Sequence, residues 1–439
     1  MLRPLLLFAT ACIMTASPPP AADLVVRNVR IVHGDGRVTA RATVSVRRAR
    51  IAAISPGEVR DGLQPRREVD GAGRTLIPGL IDAHVHVTDW ALPLLLRHGV
   101  TTVRDLHNAP AYILPLARED APARPRIVAA GALLDAPGSF WKDARIISTV
   151  ADARAAVRDQ VAAGAAVIKV YTRLPVALIG AVVQEARARG TPVAAHLGKT
   201  TAVGAARAGV SSIEHLTGIA DAASDQPARL LAAHDDFLAG WTMFEREWAR
   251  LDPARLDEVS RTLRAGGVVL VPTLALHEAF SRLADPDLRR DPALAGVPPH
   301  VLERDWDPKD IMTRAQWTPD TMRDFKAALP VLQRFVSSYV HMGGRVVAGT
   351  DTPHQFVVPG ASLHRELQLY VAGGLTTAAA LKAATTDAAD LLGISDRAGT
   401  VEVGKDADLV LLDADPLADI SATMRIRIVI RGGSIVYER

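Results

Sequence analysis

Leu76-Ile77-Pro78-Gly79-Leu80-Ile81-Asp82-Ala83-His84-Val85-His86 decides how the rest of the chain is read. It is an apolar run that closes on two histidines one residue apart, the composition of a buried strand with a polar end. Side chains at i and i+2 of a strand point to one face, so both imidazoles can reach a single ion. Seven more short apolar runs follow, at 100–105, 126–131, 166–171, 192–196, 210–215, 268–273 and 345–351, alternating with Ala-, Leu- and Arg-rich stretches of helical character. Eight strands alternating with helices predict an α/β fold, a parallel (β/α)8 TIM barrel with its site at the strand C-termini. Periodicity alone also admits an open doubly wound sheet.

Outside this middle, both chain ends read differently. Residues 23–32 and 42–46, and again 407–412 and 426–436, form short alternating or β-branched runs between Gly, Asn and Asp turns. They predict a small β-sandwich domain built from both ends, with boundaries at 23–75, 76–398 and 399–439. Before it, Met1-Leu2-Arg3, an apolar run from Leu5 to Met14 and Ser17-Pro18-Pro19-Pro20-Ala21-Ala22 have the make-up of a signal peptide over 1–22. The expected location is therefore periplasmic or secreted. Cys12, the single cysteine, sits in Ala9-Thr10-Ala11-Cys12, which loosely resembles a lipoprotein cleavage box without its usual leucine. A lipid anchor there is the lesser alternative. The folded part has no thiol, hence no disulfide, cysteine nucleophile or Cys–zinc site.

Composition narrows the classes further. A chain of 439 residues exceeds what one hydrophobic core organises. With 49% hydrophobic and 23% charged residues it can offset chain entropy. The 51 Lys and Arg against 48 Asp and Glu, a net charge of +3, show no basic stripe for nucleic acid. No stretch of the mature chain is long and apolar enough to span a membrane. The expected partner is a small-molecule substrate, and the sequence leaves a homo-oligomer open.

The polar residues that close the runs carry the chemistry. His84 and His86 end the first run, Lys169 lies in the fourth, His196 ends the fifth, His215 the sixth, and Asp351 the eighth. Any one of them alone reads as a satisfied core histidine, an ion-paired lysine or a helix N-cap. Four histidines and an aspartate at the same end of four strands read as a metal site. Lys169 adds a further option: only a neutral amine reacts with carbon dioxide, burial among cations lowers a lysine pKa, and the carbamate offers two oxygens to two metals.

Together with Gly99-Val-Thr-Thr-Val-Arg-Asp105, Ile168-Lys-Val-Tyr171, Ser212-Ile-Glu-His215, Ala348-Gly-Thr-Asp351 and Gly399-Thr-Val-Glu-Val-Gly-Lys-Asp-Ala-Asp-Leu409, the first stretch resembles the metal-dependent amidohydrolase superfamily over nearly all of the mature chain. The nearest flavour is the imidazolonepropionase-like and Xaa-Pro or Xaa-Arg dipeptidase-like group. The resemblance implies that His84 and His86 hold the more buried of two divalent metals, Zn2+ by default with Mn2+ or Co2+ also suited. It implies that His196 and His215 hold the more exposed one, that Lys169 is carboxylated and bridges them, and that Asp351 touches the first metal and shuttles protons. The implied reaction is attack of a bridging hydroxide on a C–N amide bond, in a dipeptide or an N-acyl amino acid. A cyclic amide or lactone is an alternative substrate.

Substrate contacts are expected from Tyr171, His107, Arg104 and Arg173 near the strand ends, although for Arg104 pairing with an acid inside the barrel is the favoured reading. The long segments 216–267 and 274–344 carry Trp241, Trp248, Trp306 and Trp317, expected either as an aromatic cover over the metals or as packing on the outer wall. A mononuclear deaminase of the same superfamily would place a glutamate three residues after the fifth-strand histidine, where this chain has Lys199. A non-catalytic metal- or ligand-binding barrel is the alternative from a different class. Gly198-Lys199-Thr200 lacks the upstream glycine of a phosphate loop, and Ser139-Phe-Trp-Lys142 lacks the companions of a penicillin-recognising hydrolase.

Overall fold

A computed structural model describes residues 22–57 and 65–439. The leader reading, Ala22 excepted, and Cys12 lie outside the described residues. The fold is α/β. Three parallel strands, Leu80–Val85, Val100–Asp105 and Arg126–Ala129, pair in sequence order. A second parallel sheet runs through Ile168–Val170, Val193–Ala195, Ser212–Glu214, Val269–Val271 and Arg345–Val346. Two short strands, Leu134–Asp135 and Arg145–Ile146, extend its first edge. They belong to a connection that sequence periodicity leaves as loop.

The two sheets are linked at both ends. The Ala166 N–H donates to the Ala129 carbonyl at 2.9 Å, the Ala83 N–H to the Ala348 carbonyl at 2.9 Å, and Val85 bridges Thr352 in parallel. Helices such as Val150–Ala162 and Val176–Arg187 follow the strands. Val150–Ala162 starts on a reciprocal cap, in which the Thr149 side chain accepts from Asp152 N–H and the Asp152 carboxylate accepts in return. The buried faces of these helices, with Val157, Ile179 and Val182 fully covered, join strand residues such as Ile168 and Ile213 in the largest apolar core.

The run 76–86 is not one strand. It breaks at Gly79, and its first half, Thr75–Pro78, pairs antiparallel with Leu409–Leu412 and parallel with Leu24–Val32. A Cβ on residue 79 would lie 2.1 Å from the Thr101 Oγ1, so only glycine fits at this crossing. Thr75–Pro78 is thereby the seam of an eight-stranded sheet that holds both chain ends, from Leu24–Val32 and its neighbours to Ile426–Arg431 and Ser434–Glu438. Val26, Ile31 and Val44 share a core with Val401, Leu411 and Ile428.

Charges fasten this sheet to the parallel strands. The Arg126 guanidinium, 9% exposed, donates to Asp406 Oδ2 at 2.8 Å and to Asp120 Oδ2 at 3.0 Å, and Arg431 pairs with Asp408 at 3.2 Å and with Asp120. Removing Asp406 leaves Arg126 with Asp120 at 3.0 Å and Asp408 at 3.8 Å, so the cost is that of one lost charged hydrogen bond, about 2 kcal/mol, and not that of a stranded charge. Asp406→Ala is expected to lower stability by about that amount, read as a lower urea midpoint. An unchanged midpoint in D406A contradicts the fastening role.

Candidate metal centre

His84, His86, Lys169, His196, His215 and Asp351 all line one cavity of about 560 Å³ at the C-terminal ends of the parallel strands. His84 Nε2 lies 3.2 Å and His86 Nε2 2.9 Å from Asp351 Oδ1. The His215 ring stands between those of His84 and His196, with centroids 4.5 and 4.6 Å away. The sequence therefore marks six groups that the fold does bring together.

Three of the four imidazoles are steered from behind. His84 Nδ1 lies 2.8 Å from Glu214 Oε2, His86 Nδ1 donates to the His107 carbonyl at 3.1 Å, and His215 Nδ1 meets Thr273 Oγ1 at 2.9 Å. With Nδ1 engaged, Nε2 is the nitrogen left for a ligand. Glu214 is in turn held by the Arg104 guanidinium at 3.0 and 3.1 Å and by the Ser212 hydroxyl at 2.6 Å. Asp351 and His215 occupy left-handed backbone, with φ of 65° and 57°, a strained conformation for such residues that their neighbours must enforce. The Asp351 N–H donates to the His84 carbonyl at 2.8 Å, while buried Asp82 accepts from the Thr350 hydroxyl at 2.7 Å and from the Thr350 and His84 N–H groups at 3.0 and 3.2 Å. A Cβ at Gly349 would approach the His84 backbone nitrogen to 2.9 Å, so the last strand can lie this close to the first only without a side chain there.

Electrostatics suit a cation. Burial works against the charge on Asp351, but the imidazoles of His354, His84 and His215 outweigh it and hold the carboxyl well below the usual range. Burial, with Lys169 next, pushes His196 well down, and burial also keeps His215 low, so both imidazoles are neutral and offer lone pairs. Burial raises the Glu214 carboxyl, yet Arg104 and His84 carry it down to about 2. Lys169, 2% exposed, is lowered to about 8, mainly by burial and against the pull of Glu214 and Asp351. Its Nζ has no hydrogen-bond partner among the described residues. An orphaned, readily neutralised amine facing neutral imidazoles is what a carboxylated bridging ligand requires, so the residues present fit a divalent metal centre.

Among the described residues, two groups of donors lie within 4.8 Å of one another: His84, His215 and Asp351, and His86, Asp351 and His354. Asp351 is common to both. His354, whose Nε2 is 3.5 Å from Asp351 Oδ2, was not singled out by sequence. Its signal was its place three residues after Asp351, on a connection with no periodicity. Glu214 and Asp82 lie inside the apolar runs, where nothing in their type or spacing marks their roles.

The substrate-contact expectations divide. Tyr171 and His107 line the cavity. Tyr171 accepts a hydrogen bond from Trp141 Nε1 at 3.0 Å, and His107 faces Asp143 at 3.3 Å. Arg104 does not face substrate: it is 2% exposed and committed to Glu214 and to the Ala83 carbonyl. Arg173 is not among the cavity residues either, because its guanidinium ties the carbonyls of Pro137 and Asp235 together at 3.0 and 2.8 Å. Of the four tryptophans, Trp241 and Trp317 line the cavity, with Phe237 and Phe280 beside them. Trp248 packs against Phe244 and Phe335 in the main core, and Trp306 against Trp90 and Phe356, so the cover has only half of the tryptophans assigned to it.

The model of the amidohydrolase family matches residues 75–436. Among solved structures, one described as a putative prolidase from Bifidobacterium longum superposes with a TM-score of 0.72 at 26% identity, over 95% of this chain and 96% of that one. One described as a bottromycin amidohydrolase superposes with a TM-score of 0.69 at 27% identity, over 94% and 86%. Among curated proteins, adenine deaminase 2 of Shouchella clausii (strain KSM-K16) is 33% identical over 90 residues, 18% of this chain. The chain spans between 15% and 34% of the length of the first curated relatives it matches. With the family pattern extending across the seam strand, every parallel strand and the C-terminal strands of the eight-stranded sheet, the chain belongs to the amidohydrolase family.

Proposed function

We propose that this protein is a metal-dependent hydrolase that cleaves a C–N amide bond, in an N-acyl amino acid or a dipeptide. Buried Lys169 carries the reading: its Nζ has no partner among the described residues and points to carboxylation. On this reading the two parallel sheets close into a (β/α)8 barrel, supported by the Ala83–Ala348 and Ala166–Ala129 hydrogen bonds at both seams. The terminal strands form the accompanying β-sandwich. His84, His86, His196, His215, Asp351 and carboxylated Lys169 hold two divalent ions, Zn2+ by default, and His354 stands close enough to Asp351 to steady its second oxygen.

Bound divalent ions supply an acidified water, its pKa falling from about 15.7 to about 7, and a polarised carbonyl. Asp351 accepts the proton released as the nucleophile adds and returns it to the leaving nitrogen as the C–N bond breaks. His84 and His86 keep its Oδ1 aimed into the cavity. Tyr171 is buried in the cavity wall, its ring 4.7 Å from that of His196, and its hydroxyl can donate to the developing oxyanion. Deamination is disfavoured because Lys199, at the position where a proton-moving glutamate would stand, lies 2.7 Å from Asp235 and outside the cavity lining.

Asp351→Asn is expected to lower kcat by about 10²–10⁴-fold while keeping most of the bound metal, measured on dipeptide and N-acyl amino acid panels with elemental analysis alongside. Full activity in that variant removes Asp351 from the proton path. Glu214→Gln, which loosens His84 from behind, is expected to weaken metal binding by about 10–100-fold in a chelator competition, and unchanged affinity contradicts its positioning role. Protein reconstituted in 13C-bicarbonate is expected to show a carbamate carbon resonance that is absent in Lys169→Ala. An identical spectrum from both proteins rules out carboxylation.

A further inference from the structure

The cavity above the candidate metal centre is chemically divided. On the side of His196 and His215 it is aromatic: Phe237 lies 5.9 Å from the His196 ring, and Trp241 lies 6.0 Å from both His196 and His215. Phe140, 40% exposed, stacks on Phe237 at 4.5 Å, and Phe280 links Trp241 to Trp317 at 5.9 and 5.4 Å. On the side of His86 it is polar, with the His107 and His354 rings 6.3 and 6.0 Å away. Residues 140–143 cross between the two sides: Phe140 joins the aromatic wall, and Asp143 reaches His107 at 3.3 Å.

Among the described residues, the lysine and arginine side chains lining this space are Lys169, Arg314 and Lys142. Lys169 lies at its base, and Arg314 is engaged by Asp310 at 2.9 Å. Lys142 is exposed, with no ion pair or hydrogen bond among the described residues. The lining carboxylates are Asp351, inside the candidate centre, and Asp143, already facing His107. The aromatic side thus has no acid to receive an α-ammonium group, whose burial without a partner is costly.

Resting on the hydrolase reading above, we propose that the substrate is an N-acyl amino acid with a neutral aromatic acyl group, rather than a free dipeptide. The acyl group fills the Phe140–Phe237–Trp241 wall, the scissile amide lies over the candidate metal centre, and the carboxylate of the amino-acid half meets Lys142 at the rim. The aromatic wall discriminates by shape and ring stacking, and Lys142, being exposed and screened, adds a modest preference.

The test is binding to zinc-loaded Asp351→Asn by titration calorimetry, followed by turnover in the parent protein. The probes are hippurate (N-benzoylglycine), N-acetylglycine, Phe-Gly and the carboxylate-free N-methylbenzamide. Hippurate is expected to bind at least about tenfold more tightly than N-acetylglycine or Phe-Gly. Phe237→Ala is expected to erase most of its advantage over N-acetylglycine. Phe140→Ala, at an exposed position, does the same to a lesser degree should the first variant fail to fold. Lys142→Ala is expected to narrow the advantage over N-methylbenzamide by up to about fivefold. Equal affinities for hippurate and N-acetylglycine, or tighter binding of Phe-Gly, overturn this proposal whatever the turnover. Selective binding with no amide cleaved by the metal-loaded parent supports the pocket assignment and overturns the hydrolase reading instead.

Discussion

Beneath the floor of the cavity, the Arg104 guanidinium grips both oxygens of Glu214 at 3.0 and 3.1 Å, in an interior where neither side chain sees solvent. Arg104 comes from the second parallel strand and Glu214 from a strand of the other sheet, so the pair ties the two halves of the parallel array across its inside. A planar fork matched to a carboxylate fixes orientation as well as distance. Glu214 in turn fixes His84, and Asp351 is aimed at the same point through the His84 carbonyl. Burying such a pair is weak evidence for stability. What it contributes is a definite direction for the histidine above it, which a metal centre needs more than it needs another apolar contact.

The parallel strands were legible because a strand ending in a polar residue leaves a mark in sequence: apolar run, then histidine or aspartate, then a helical pattern. Val100–Asp105 appears with the bounds that its run suggests, whereas 345–351 gives only a two-residue strand, Arg345–Val346, before the backbone turns to place Asp351 at positive φ. The break at Gly79 was hidden inside an unbroken apolar run. What separates its halves is not hydrophobicity but a crossing against Thr101 that only the absence of a side chain permits.

Site residues were legible by type and spacing, not by direction. His84 and His86 reach the same Asp351 oxygen, as alternation suggests, whereas His196 and His215 lie one residue past their strands and His215 turns at positive φ. Arg104 is an arginine on a strand near the site, which fits a carboxylate clamp as well as an internal ion pair. Burial chooses the second, and burial is not written in one residue's identity. The same limit explains Glu214 and Asp82, two acids that serve backbone and imidazole instead of solvent. Trp248 belongs to the main core, and Trp306 shares the apolar cluster of Trp241 and Trp317 but packs on Trp90 and Phe356 away from the cavity lining, a difference that composition does not record.

The eight-stranded sheet has a consequence for how the protein is made. Leu24–Val32 pairs with Val38–Arg47 and Thr75–Pro78 early in the chain, yet the latter's other edge must wait for Leu409–Leu412, more than three hundred residues later. While a ribosome is still adding the middle of the protein, that edge and its apolar face have nothing to cover them, and unpaired edges invite association between nascent chains. A molecule ending before Ile426 would thus lose Ile426–Arg431 and Ser434–Glu438, and with them Ile428 and Ile430 from the core shared with Val26 and Ile31. Its most vulnerable surface would be the one synthesised first.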